Sequence, residues 1–131
     1  MEEAIKKAAV LIEALPYIKK FHKKIIVIKY GGSILGEEKI RRQILEDIVF
    51  LSFMGLRPVV VHGGGPNISD CMRASGKKTE FVDGMRVTDE ETLLVVEEEL
   101  QALNDVIVRE LSELGARPVG LNGKNSGIIQ V

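Results

Sequence analysis

Two glycine clusters, Lys29-Tyr30-Gly31-Gly32 and His62-Gly63-Gly64-Gly65-Pro66, each follow a short apolar run. Residues without side chains let backbone N–H groups approach an anion closely, and a helix opening just beyond the cluster adds a favourable partial charge. If the two runs are parallel strands, both clusters lie at carboxyl strand ends, on the edge where open α/β sheets bind ligands. The chemistry this pattern points to is phosphate binding. Neither cluster is a nucleotide fingerprint: no GxGxxG follows a strand, and Gly123-Lys124-Asn125 lacks both the upstream glycine and the Ser/Thr of a P-loop.

Lys29 ends a run that is otherwise apolar, so its ammonium is aimed at the crevice beside the glycines. A cation there offsets charge on a transferring phosphoryl group, a reaction in which catalysis is mostly positioning and electrostatics. His62, also at a strand end, reads as a hydrogen-bonded core residue and is assigned no catalysis. Arg86, in Asp83-Gly84-Met85-Arg86-Val87-Thr88-Asp89, sits in a non-helical stretch where a guanidinium can clamp a carboxylate with two parallel hydrogen bonds. Cys71 has no CxxC neighbour and reads as a small helix residue; no metal ligand set is predicted.

The elements that position these residues follow from periodicity. Residues 2–22 carry Ile5, Ala8, Ala9, Ile12, Leu15 and Ile18 at helical spacing, with Pro16 predicting a kinked helix or a helix pair. Ile25-Ile26-Val27-Ile28 and Pro58-Val59-Val60-Val61-His62 read as strands buried on both faces. Between them, Ile40, Ile44, Leu45, Ile48, Val49 and Phe53 recur at three and four residues up to a stop at Gly55. A third helix runs from Pro66 to about Ala74 before Gly76. Asp83-Gly84 is a turn dipeptide suited to a hairpin, and Thr88-Asp89-Glu90-Glu91 opens the longest helix, which ends at Gly115. Pro118-Val119-Gly120-Leu121 is a third strand candidate. Strand, helix, strand, helix is the parallel crossover pattern, so the fold class is α/β, a three-layer αβα sandwich with a mainly parallel sheet.

Length and composition are those of one globular domain, with 45% apolar and 28% charged residues. No apolar run approaches the roughly 20 residues of a membrane span, and MEEAIKK lacks a signal-peptide core, so a cytoplasmic protein without a membrane partner is expected. Residues 1–65 carry 11 Lys/Arg against 7 Asp/Glu, but no basic run is interleaved with aromatics, which argues against nucleic acid as a partner.

In this order, KYGGS (29–33), VVVHGGGP (59–66), FVDGMRVTDEET (81–92) and VGLNGK (119–124) closely resemble the amino-terminal half of the amino acid kinase family, in the branch that phosphorylates N-acetyl-L-glutamate. The resemblance implies transfer of the γ-phosphoryl group of ATP, with Mg²⁺, to the side-chain carboxylate of that substrate, in arginine biosynthesis. It implies that Lys29 stabilises the phosphoryl group, Gly64 and Gly65 contact substrate, Gly31, Gly32 and Gly63 bind phosphate, and Arg86 holds the substrate α-carboxylate. Residues 2–22 resemble the helix that pairs dimers into a ring in arginine-inhibited members, with Tyr17 near the effector; residues 1–24 are then an oligomerisation helix and residues 25–131 the substrate-binding domain. Gln101-Ala102-Leu103-Asn104 departs from the family's Gly-Lys-Val-Asn run. The family's second half, with the ATP pocket and a second lysine, has no counterpart in these residues, so the chain alone is expected to be inactive, either as a fragment or as one piece of a split enzyme whose partner is a separate carboxyl-terminal half. A non-catalytic amino-acid-binding, regulatory or oligomerisation module of the same descent is the alternative.

Overall fold

A computed structural model describes residues 1–31, 37–124 and 127. Helix α1 (Glu2–Phe21) leads into strand β1 (Ile25–Tyr30), helix α2 (Glu38–Phe53) and strand β2 (Arg57–His62). Helix α3 (Gly65–Ala74), a short hairpin of β3 (Phe81–Val82) and β4 (Met85–Arg86), and helix α4 (Glu90–Glu113) follow. The α/β class with a parallel sheet expected from the sequence is observed. β1 and β2 pair in parallel from Ile25↔Arg57 to Tyr30↔His62. Because the register closes with Tyr30 beside His62, Gly31 and Gly63 leave the sheet from the same edge.

Three helices stop for one reason. Gly55, Gly76 and Gly115 adopt left-handed backbone, at φ of 88°, 74° and 89°. In each case the next residue's N–H returns to a carbonyl in the last helical turn: Leu56 to Leu51, Lys77 to Met72, and Ala116 to Leu111. This satisfies carbonyls that a helix end otherwise leaves open, and only glycine takes that backbone without a steric penalty. At the other end of α4 the Asp89 carboxylate accepts from the Thr92 N–H at 2.7 Å. Those Thr92 hydrogen bonds hold the Asp89 carboxyl below its ordinary range.

The core lies between one face of the sheet and the helix pair α2/α4. Tyr30 of β1, Leu45, Ile48 and Val49 of α2, and Leu103, Ile107 and Leu111 of α4 form one buried cluster, with Ile28 and Val60 packed against it. The helices are also tied by Arg41, whose Nε and Nη2 donate to the Glu110 carboxylate at 2.9 and 2.7 Å. Both side chains are mostly covered, and the Glu110 hydrogen bond raises the Arg41 pKa, so the guanidinium stays charged.

Three expectations are corrected. The strands are not buried on both faces: in β1 and β2 half-buried or buried residues alternate with exposed ones, and Ile25, Val27, Val59 and Val61 face away from the helices. A β-branched run shows that a residue suits a sheet, but burying its second face takes further elements, and none covers it among the described residues. Residues 118–121 form no strand; they run along α4, where a Cβ on Gly120 would stand 2.7 Å from the Asn104 amide and 3.0 Å from Val108. Finally, of the kinked helix or helix pair expected at Pro16, the pair is not observed: α1 is one continuous helix through Pro16, and none of its residues is buried. No helix of the described residues is long and apolar enough to cross a membrane.

Candidate functional site

The carboxyl edge of the β1/β2 pair gathers most of the predicted residues. Lys29, the penultimate residue of β1, is exposed on the sheet face opposite α2/α4 and lies beside Val61 in register. It has no ion pair among the described residues. Gly31 follows β1 directly, Gly63 and Gly64 follow β2, and Gly65 opens α3. Gly32 lies outside the described residues.

The glycines are not equivalent. A Cβ on Gly64 would stand 3.0 Å from Leu100 and 3.8 Å from Ile68 and Leu103, so its missing side chain is explained by the close approach of α4. At Gly31, Gly63 and Gly65 a Cβ would meet nothing within 4 Å, and none of the three has a left-handed backbone. Neither conformation nor packing among the described residues demands glycine there. What remains is space kept open at two adjacent strand ends and one helix start, the arrangement in which backbone N–H groups receive an anion.

Arg86 reaches the same place from the hairpin. Its Nη2 donates to the Gly65 carbonyl at 3.1 Å and to Ser69 Oγ at 2.7 Å, and its Nη1 points at Met72 Sδ at 3.3 Å. The Phe81 ring lies 4.9 Å from the guanidinium carbon. No carboxylate among the described residues pairs with it, so its positive charge is not neutralised by the protein there. The sequence assigns no role beside Arg86 to Ser69, Met72 or Phe81, since contacts across 17, 14 and 5 residues leave no periodic trace.

Other candidates fall elsewhere. His62 Nδ1 is buried and finds no hydrogen-bond partner among the described residues, so the hydrogen bond expected of this core histidine is not seen at that nitrogen; the Tyr30 hydroxyl is likewise buried without a partner among them. Burial holds the Tyr30 phenol above its ordinary pKa, against the pull of Arg41, so it stays neutral. The Cys71 thiol is likewise raised, by burial first and then by Glu99, which disfavours the nucleophilic thiolate. Tyr17 is exposed on α1, which enters at the amino end of β1, opposite the glycines. A cavity of about 650 Å³ lies along the free edge of β2, lined by Val60, His62, Ile107, Pro118 and Leu121 among others. Lys29, Gly31, Gly65 and Arg86 do not line it.

The comparisons with known proteins bear on the chain as a whole. The acetylglutamate kinase of Methanocaldococcus jannaschii is 53% identical over 130 residues, covering 98% of this chain and 43% of that enzyme. That of Bordetella petrii is 53% identical over 126 residues, covering 95% and 42%. The chain thus spans less than half the length of these curated relatives. Among solved structures, N-acetylglutamate synthase from Neisseria gonorrhoeae complexed with coenzyme A and N-acetyl-glutamate superposes with a TM-score of 0.71 at 26% identity, over 88% of this chain and 29% of that one. The same synthase complexed with coenzyme A and L-arginine gives 0.63 over 95% and 27%. The sequence profile of the amino acid kinase family matches residues 24–131, from the residue before β1 through both glycine clusters and the Arg86 hairpin, and the chain belongs to that family.

Proposed function

We propose that this chain is the acceptor-substrate lobe of an acetylglutamate kinase, moving the γ-phosphoryl group of ATP to the side-chain carboxylate of N-acetyl-L-glutamate in the cytoplasm, for arginine biosynthesis. The observation that carries the reading is the set Gly31, Gly63 and Gly65, whose absent side chains answer no need of the described chain, with the unneutralised Arg86 hydrogen-bonded to Gly65. The 53% identity to kinases, against 26% to the synthase, favours the kinase over a non-catalytic module.

In the reaction a side-chain carboxylate oxygen of the acceptor forms a bond to the γ-phosphorus as the bond from that phosphorus to the ADP oxygen breaks; no proton has to move. The products are an acyl phosphate and ADP. Negative charge spreads over the transferring oxygens, and fixed donors aimed at it lower the barrier. Lys29 supplies a cation at the strand end, and Gly31, Gly32 and Gly63 supply the anion nest. Gly64 and Gly65 border the acceptor, with Arg86 holding its α-carboxylate. Among the described residues no group of three or more His, Cys, Asp or Glu is placed to hold the magnesium of the nucleotide.

Arg86→Ala is expected to weaken binding of N-acetyl-L-glutamate by roughly 1.5–3 kcal/mol, about 10- to 100-fold, because a carboxylate loses a charge-assisted partner. Isothermal titration of the ligand into the chain and its variant measures this; equal affinities would remove Arg86 from the site.

Residues 1–24 are assigned to oligomerisation and residues 25–131 to substrate binding. Support comes from α1, which buries nothing and leaves Ile5, Leu11, Ile12 and Leu15 exposed. Such a stripe favours pairing with another chain. Deleting residues 1–22 is expected to lower the oligomer number in light scattering, and an unchanged number defeats the assignment. Tyr17, on this helix, is the proposed neighbour of an arginine effector.

A further inference from the structure

We propose that Ser69 is a positioning residue that sets the selectivity of this site for an acceptor bearing an α-carboxylate, by fixing the guanidinium of Arg86. This inference rests on the reading of Arg86 given above. Ser69 stands one helical turn beyond Gly65 in α3, and its Oγ donates to the Gly65 carbonyl at 2.9 Å. The same oxygen accepts from Arg86 Nη2 at 2.7 Å, while that nitrogen also donates to Gly65 O at 3.1 Å. The three groups close a triangle, so the hydroxyl hydrogen is committed to Gly65 and its oxygen faces the cation.

The hydrogen count decides what is left for a ligand. A guanidinium has five N–H donors in a fixed plane. Both hydrogens of Nη2 are used by Ser69 and Gly65, and one on Nη1 is directed at Met72 Sδ at 3.3 Å. One Nη1 hydrogen and the Nε hydrogen remain. The Phe81 ring, 4.9 Å from the guanidinium carbon, lies over one face. Both two-donor edges of a guanidinium include Nη2, so the remaining hydrogens offer a carboxylate single bonds rather than a fork, and Ser69 fixes the direction in which they are presented beside Gly63–Gly65. Without its hydroxyl, one Nη2 hydrogen is released, the plane can turn about the Cδ–Nε bond, and the carboxylate meets a cation that must be ordered on binding. Ordering a long side chain on binding costs affinity that a fixed one has already met.

The test titrates two ligands into the 131-residue chain: N-acetyl-L-glutamate, and 4-acetamidobutanoate, which is the same molecule without its α-carboxylate. Ser69→Ala is expected to weaken N-acetyl-L-glutamate by about fivefold, a typical single hydrogen bond, and to leave 4-acetamidobutanoate unchanged. Ser69→Thr, which keeps the hydroxyl, is expected to restore the parent ratio. A Ser69→Ala chain that loses both ligands equally, or neither, overturns the inference, and so does a failure of Ser69→Thr to restore the ratio in a chain with parental circular dichroism. Arg86→Ala separates the two levels: if it abolishes the preference for N-acetyl-L-glutamate while Ser69→Ala does not reduce it, only the role of Ser69 fails. If the parent chain binds neither ligand or does not distinguish them, the reading of Arg86 fails, and the inference with it.

Discussion

Leu45→Ala is expected to cost about 3–5 kcal/mol of folding stability, the largest single effect among substitutions outside the site. Leu45 is 0% exposed and sits in α2 at the centre of the cluster that joins Tyr30 of β1 to Leu103, Ile107 and Leu111 of α4. Removing three carbons there forfeits their transfer free energy and leaves a cavity. The Arg41–Glu110 pair holds α2 against α4 close by, so the helices are poorly free to close over it. A chain of this length has roughly 6–20 kcal/mol of stability in all, and the loss takes a large share. Urea unfolding followed by circular dichroism should show a lower midpoint at unchanged slope. Ile40→Ala, on the same helix but 40% exposed, is the control and should cost much less. Equal losses from the two would mean that the core is not where the buried cluster places it. Functionally, the same cluster carries β1, and therefore the position of Lys29 and Gly31.

What the sequence discloses and what it withholds divide along a physical line. Helices α2, α3 and α4 were legible because their apolar spacing, their glycine stops at 55, 76 and 115, and the Asp89 cap are all local signals. The two glycine clusters could be placed on one edge because a parallel crossover leaves little choice, and the observed register agrees. Pro118-Val119-Gly120-Leu121 shows where local signals fail: a short apolar run with glycine suits a strand, yet its glycine is used to lie against Asn104 and Val108 of α4. Asn122 adds a 2.6 Å hydrogen bond from its Nδ2 to Gln101 Oε1, and Lys124 an ion pair with Glu97 at 2.8 Å. Those partners recur along the helix at 97, 101, 104 and 108, a stripe that reads in sequence as ordinary helix surface. The surroundings of Arg86 were hidden in the same way. Its position in the hairpin could be read, but Ser69 as its partner is a consequence of α3 and the hairpin meeting in space.

Lys29→Ala is expected to lower phosphoryl transfer by ~10²–10³-fold, the usual result of deleting one donor aimed at developing charge. The assay needs a nucleotide site, and the sequence contains neither GxGxxG after a strand nor a P-loop. Transfer also requires donor and acceptor in line, where misplacement by about 1 Å already costs ~100-fold. The chain, spanning 43% of its Methanocaldococcus relative, is therefore expected to give no acyl phosphate by itself with ATP, magnesium and N-acetyl-L-glutamate, and to give it when mixed with the carboxyl-terminal half of a related acetylglutamate kinase. Hydroxylamine trapping of the acyl phosphate reads both results. Lys29 is exposed and without an ion pair among the described residues, so its removal should not disturb folding, and N-acetyl-L-glutamate affinity by calorimetry should stay within about twofold of the parent. That split matters, since Arg86→Ala should do the reverse and act mainly on affinity. A Lys29→Ala mixture that keeps parental activity would take the lysine out of the reaction. Activity of the isolated chain, lost with Lys29→Ala, would instead place the whole transfer machinery within these 131 residues.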